Sequence, residues 1–140
     1  MNVTELVAAC YKTAVEHGWW EDIPGKPLVA TQQHFRRINA SMLAEKLCLI
    51  HSEVSEALEE VRRGQGLEMY YGPCAPGHDR APAPSVNHHP KPEGFVVELA
   101  DVCIRIFDLC GALGLDLEGA IKAKMAYNET RPYRHGGKAI

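Results

Sequence analysis

Two acidic pairs share one spacing: Glu53-x-x-Glu56 within HSEVSEALEE and Glu98-x-x-Asp101 within GFVVELADVCIRIFDLCG. On a helix, residues i and i+3 are neighbours on one face. Two such pairs on antiparallel helices can converge. Four carboxylates brought together repel, and each resists ionisation. A divalent cation removes the conflict. Oxygen donors suit Mg²⁺ or Mn²⁺, ions that keep waters and also bind phosphates. The competing reading is ordinary helix-surface charge, with Arg105 pairing Asp101 at i+4 and Lys46 pairing Glu53 across two turns. Of the neighbouring acids, Glu59 faces solvent, and Glu60 lies on the side of the pair without a motif role.

A second set is basic. In LDLEGAIKAKMAYNETRPYRHGGK, Leu117 and Ile121 begin an apolar face that Lys124, Asn128 and Arg131 continue. Polar groups on such a face are expected to point inward. Lys and Arg bind phosphate by charge and fork geometry, and Asn adds a neutral hydrogen bond. The alternative is a basic helix end complementing the helix dipole. Lys46 shares the side of Glu53 and joins Lys124, Asn128 and Arg131 as a substrate-binding candidate.

The elements that must position these groups are helical. Residues 2–20 carry Leu6, Val7, Cys10, Tyr11 and Val15 at helical spacing, and the pattern stops at Gly18-Trp19-Trp20. A long helix is expected over 39–63, ending at Gly64, another over 93–113, and a fourth from the N-cap Asp116 to about residue 130. On the second, the apolar stripe Leu43, Leu47, Ile50, Val54, Leu58 and Val61 is expected to meet the core. The third is apolar nearly all round, with one polar stripe: Glu98, Asp101, Arg105 and Asp108. Such a helix is buried, either centrally or against another subunit. Residues 64–92, rich in Gly and Pro, read as a long loop. The expectation is a single all-α domain of four-helix-bundle type over 1–140.

Composition narrows the partners. The 140 residues are 46% hydrophobic, enough for one core, and the net charge of −3 offers no basic balance for nucleic acid or an anionic membrane. MNVTELVAAC does not read as a signal peptide, and no apolar run is long enough to span a bilayer. Five cysteines without a C-x-x-C pair fit a reduced, cytoplasmic setting. Cys74 with His78, His88 and His89 matches no strong zinc template. His78-Asp79 lacks the helical histidines that an HD-type phosphohydrolase needs. Trp19, Trp20, His34, Phe35, Tyr70 and Tyr71 could stack on a base, and at least one tryptophan is expected in the core.

Three segments, HSEVSEALEEVRRG, KPEGFVVELADVCIRIFDLCG and KMAYNETRPYRHGGK, together resemble the MazG-like branch of the all-α NTP pyrophosphohydrolase superfamily. The resemblance spans residues 39–138. Its hallmark, E-x-x-E on one helix and E-x-x-D on a later one, falls on Glu53, Glu56, Glu98 and Asp101. The two motifs stand further apart than in compact members because of the 64–92 loop. The resemblance implies hydrolysis of a (deoxy)nucleoside triphosphate to the monophosphate and pyrophosphate, with Mg²⁺ held by the four acids. It implies a homodimer or homotetramer of helical bundles, and phosphate contacts from Lys124 and Asn128; Arg131 extends that set along the helix face. A non-catalytic helical oligomer acting as a regulatory or interaction protein is the reading from another class.

Overall fold

Asn2 starts the first helix with a capping box: its side chain accepts from the Glu5 amide, and the Glu5 carboxylate accepts from the Asn2 amide. A computed structural model describes residues 1–23, 26–27, 40–71 and 91–132. The helices are α1 (Val3–Glu16), α2 (Ala40–Arg62), α3 (Phe95–Leu113) and α4 (Leu117–Glu129). Two short antiparallel pairs complete the described fold: β1 (Glu21–Ile23) with β2 (Lys26–Pro27), and β3 (Tyr70–Tyr71) with β4 (Pro92–Glu93). The helix bounds agree with the sequence pattern to within a few residues, and Asp116 caps α4 by accepting from the Gly119 amide. None of these helices is long and apolar enough to cross a membrane.

The centre is α3, packed against both α1 and α2. Gly111 lets α1 come close: a Cβ there would stand 2.5 Å from Tyr11 Cβ and 3.2 Å from the Val7 carbonyl oxygen. Ala14, Trp20, Leu109 and Ala112 form the core, with Tyr11, Val15, Met42, Leu43, Ile50 and Leu113 packed against it. This core is small. Among the described residues no side chain is less than 2% exposed while seven apolar residues count as buried.

Two expectations about faces are corrected. First, the α2 stripe does not turn wholly inward. Met42, Leu43 and Ile50 are partly buried, but Leu47, Val54, Leu58 and Val61 are exposed, Leu58 by 56%. The buried line on α2 is instead Glu53, Ala57 and Glu60. The cause lies on α3, whose polar stripe faces the inside and supplies partners for buried charge. Val96, Leu99 and Ile104 of α3 are exposed in turn. Second, α4 is not an equal member of a four-helix bundle. It packs chiefly on α1 and buries no residue. Lys124 and Asn128 face solvent and Arg131 is half-buried, so they do not point inward as the pattern predicted.

What holds α4 is electrostatic. The Thr4 amide and hydroxyl donate to one Glu118 oxygen at 3.1 and 2.8 Å, and Lys122 donates to the other. These bonds, Lys122 first and then Thr4, pull the Glu118 carboxyl down to about 2. It also sits at the positive end of the α1 dipole. A carboxyl depressed on folding stabilises the fold above its unfolded value near 4.5, and the contribution is lost as pH falls towards about 2. Glu118→Gln is therefore expected to melt below wild type at pH 7, with the two curves converging as pH approaches 2. A constant gap across that range in thermal denaturation would exclude the tie.

Candidate metal and substrate site

Glu53 and Glu56 lie one turn apart on α2, and Glu98 lies in the first turn of α3. One carboxylate oxygen from each of these three residues falls within 4.8 Å of the others. Glu53 is 6% exposed and Glu98 5%, while Glu56 opens to solvent. Asp101 stands one turn further along α3, half-buried. Glu98 thus meets the α2 pair across the α2–α3 contact, while Asp101 lies outside that trio and senses the charge of Glu53.

The electrostatics follow from that crowding. The Glu98 carboxyl is pushed up, by burial first and then by Glu56, with Asp101 and Glu53 adding to it; Lys91 opposes. Asp101 is also pushed up, by burial and then by Glu53, against the pull of Lys91 and Arg105. The Lys91 ammonium is raised in spite of burial, because the Glu93 bond and then Glu98 and Glu56 favour its charge. Acids that resist ionisation in each other's presence are what a divalent cation relieves. Three converging carboxylates with an open side match the oxygen donors that Mg²⁺ or Mn²⁺ accepts.

Behind this group runs a line of alternating charge. Arg105 Nε donates to Glu53 Oε1 at 2.5 Å. Trp20 Nε1 donates to Asp108 at 2.6 Å, and Lys46 lies over the Trp20 ring at 4.3 Å while donating to the Trp19 carbonyl. Burial pushes the Asp108 carboxyl up, and the Trp20 bond, Lys46 and Arg105 act against that shift. So the expected pairs differ: Arg105 holds Glu53 rather than Asp101, and Lys46 serves the Trp19-Trp20 turn rather than Glu53. Buried Trp20 fills the core role foreseen for one tryptophan, whereas Trp19 is exposed.

A cleft of about 670 Å³ opens between α1, α2 and α3; Asp101 lines it, whereas Glu53, Glu56 and Glu98 do not. Trp19, Lys46, Asp101, Arg105 and Asp108 line it, with an apolar wall that includes Leu49 and Ile104. The volume is that of a small-molecule site. Lys124 and Arg131 do not reach this group; they stand over the Tyr127 ring, at 4.9 and 6.0 Å. The charges that Glu98 and Asp101 sense from cations are those of Lys91 and Arg105.

Glu60 acquires a role that its position did not suggest. It is buried and accepts from the Tyr70 hydroxyl at 2.8 Å and from Arg63 at 3.2 Å. Burial first, then the Glu60 bond, pushes the Tyr70 phenol up to about 12. Tyr70 pairs with Glu93 in the β3–β4 ladder, and Gly94 packs beneath it. With φ of +114° and a would-be Cβ only 2.5 Å from the Glu68 carbonyl oxygen, position 94 accepts glycine alone. The ladder sets where α3 begins, three residues before Glu98. Lys91 was missed as a partner of the acids, and Arg105, expected to pair with Asp101 alone, bonds to Glu53 across the helices.

Cys10, Cys48, Cys103 and Cys110 are free thiols. Cys74, His34, Phe35, His78, Asp79, His88 and His89 lie outside the described residues. Comparison of the chain with family models, curated proteins and solved structures returns no match.

Proposed function

We propose that this protein is a Mg²⁺-dependent nucleoside triphosphate pyrophosphohydrolase of the MazG-like type, converting a (d)NTP and water to the (d)NMP and pyrophosphate, in keeping with nucleotide-pool housekeeping in the cytoplasm. The observation that carries the reading is the convergence of Glu53, Glu56 and Glu98 from two helices. The resemblance of three sequence segments to that family supports it, as does the cleft that Asp101 and Arg105 line.

Glu53, Glu56, Glu98 and Asp101 would hold the metal, with Mn²⁺ as a substitute for Mg²⁺. When bound there, a divalent cation supplies charge neutralisation at the phosphates and makes a water more acidic. Glu56, the exposed member, is the carboxylate best placed to orient a solvent water or take its proton. Buried Glu53 and Glu98 keep their positions through packing and through Arg105. Lys46 and Arg105 line the cleft and bring positive charge to the triphosphate. The apolar wall and Trp19 offer a surface to the nucleoside.

The exposed apolar residues on α2 and α3 support a homodimer or homotetramer. Lys124, Asn128 and Arg131 are phosphate ligands in this reading if the assembly carries α4 of a neighbouring copy to the acids. That none of the three lines the cleft within one chain is also the observation that favours the second reading, a non-catalytic helical oligomer with a regulatory or binding role. Incubation with a panel of NTPs and dNTPs plus Mg²⁺ separates the two. Pyrophosphate and monophosphate in equal amounts are expected from at least one triphosphate, and chelation with EDTA should stop their release. No pyrophosphate from any member would favour the second reading.

A further inference from the structure

Resting on the metal-site reading, we propose that Arg105 is the site's resident counterion: it balances Glu53 while the site is empty and holds the affinity for a free divalent cation down. The geometry is specific. Arg105 comes from α3 and Glu53 from α2, fifty-two residues away, and the Nε–H donates directly to a carboxylate oxygen at 2.5 Å. Glu53 is nearly inaccessible to water, and the Arg105 side chain is about one-third exposed. A buried carboxylate left without a cation is costly, more so with Glu56 and Glu98 within 4.8 Å.

The sign follows from elementary electrostatics. A carboxylate ligand accepts hydrogen bonds, so the groups that orient it are donors, and a neutral donor leaves the charge of the site unchanged. A guanidinium does more. It draws charge away from Glu53 and repels a second cation at short range. Arg105 also lowers the carboxyls of Asp101 and Asp108 against the upward push of burial, so one cation serves acids on both helices. Lys91 adds a second positive charge near Glu98 and Asp101. The consequence is a site that stays assembled without metal. It binds a free ion weakly and fills when the ion arrives with phosphate oxygens that offset the guanidinium charge. Release of the ion with pyrophosphate is eased by the same cation. Arg105 is thus a positioning residue whose charge, beyond its hydrogen bond, sets metal affinity.

Two variants separate charge from bond. Arg105→Gln keeps a hydrogen-bond donor and removes the charge; Arg105→Lys keeps the charge. Mn²⁺ binding to each full-length protein, without nucleotide and at one pH, is measured by titration calorimetry or by the loss of the free-ion electron paramagnetic resonance signal. The Arg105→Gln protein is expected to bind Mn²⁺ about tenfold or more tightly than wild type, and Arg105→Lys within about threefold of it. The metal-free Arg105→Gln protein should melt about 5–10 °C lower and recover most of the loss on adding Mn²⁺. A variant that folds only with Mn²⁺ supports the assignment for the same reason. Unchanged or weaker binding by Arg105→Gln overturns it, because Arg105 then only orients Glu53. So does an Arg105→Gln protein that stays unfolded at saturating Mn²⁺. If no protein of the series binds Mn²⁺, alone or with a non-hydrolysable triphosphate, the metal-site reading fails as well.

Discussion

Glu98→Gln is expected to lower pyrophosphate release by about 10³-fold while making the metal-free protein more stable. The two effects have one origin. Glu98 is 5% exposed and has Glu53 and Glu56 within 4.8 Å, so an ionised carboxylate there is unfavourable until a cation arrives. Its pushed-up carboxyl makes the sign definite. The folded protein holds the proton more tightly than the unfolded chain does. This group therefore favours folding below its ordinary range near 4.5, and the contribution is lost as pH rises through its shifted value. The amide avoids that loss at neutral pH. It keeps the volume but removes an anionic ligand. Circular dichroism should show unchanged helix content, thermal denaturation in EDTA a higher midpoint, and the pyrophosphate assay almost no turnover. A variant with wild-type turnover would sink the assignment of Glu98 to the site. Loss of activity with a lower midpoint would instead indicate a structural role.

Leu58→Glu is expected to break the proposed homo-oligomer. Leu58 is the most exposed member of a row on α2 that includes Leu47, Val54 and Val61. An apolar row of this length on a chain whose core is small is a surface that favours burial against another copy. A carboxylate at its middle would have to be desolvated on association. The change should raise the dissociation constant by about 100-fold or more, equivalent to roughly 2.7 kcal/mol. Sedimentation equilibrium across a concentration series reads this directly. The helix content should be unaffected, since the side chain touches little within its own chain. A wild-type protein that remains monomeric at every concentration tested would remove the basis of the prediction.

How much of this was readable from the residues alone depends on the kind of signal. Helix limits were legible because they are local: Asp116 caps, and Gly64 and Gly114 follow the last turns, while the Asn2 capping box emerged with the structure. The convergence of the acids was legible because helical geometry puts i and i+3 together, and because α3 offers a single polar stripe. The inward face of α2 was not. Periodicity assumes that the apolar side is buried, and here Glu53, Ala57 and Glu60 take that place. Their burial depends on partners far off in sequence, Arg105 for Glu53, or across a ladder, Tyr70 for Glu60. No spacing rule reaches those pairs. The basic face of α4 failed for a related reason: its pattern resembled an inward face, but among the described residues α4 packs chiefly on α1 and buries none of its own side chains.

The β3–β4 ladder turns a long interval of sequence into a short interval of space. Because Tyr70 pairs with Glu93 and Tyr71 with Pro92, α2 and α3 are registered by the ladder and not by the number of residues joining its strands. Closing a chain costs free energy only logarithmically in its length, and each doubling adds about 0.6 kcal/mol. The ladder is therefore a clamp: two backbone pairings, made at small entropic cost, fix the spacing of α2 and α3 and set Lys91, the residue next to Pro92, within electrostatic reach of Glu98 and Asp101.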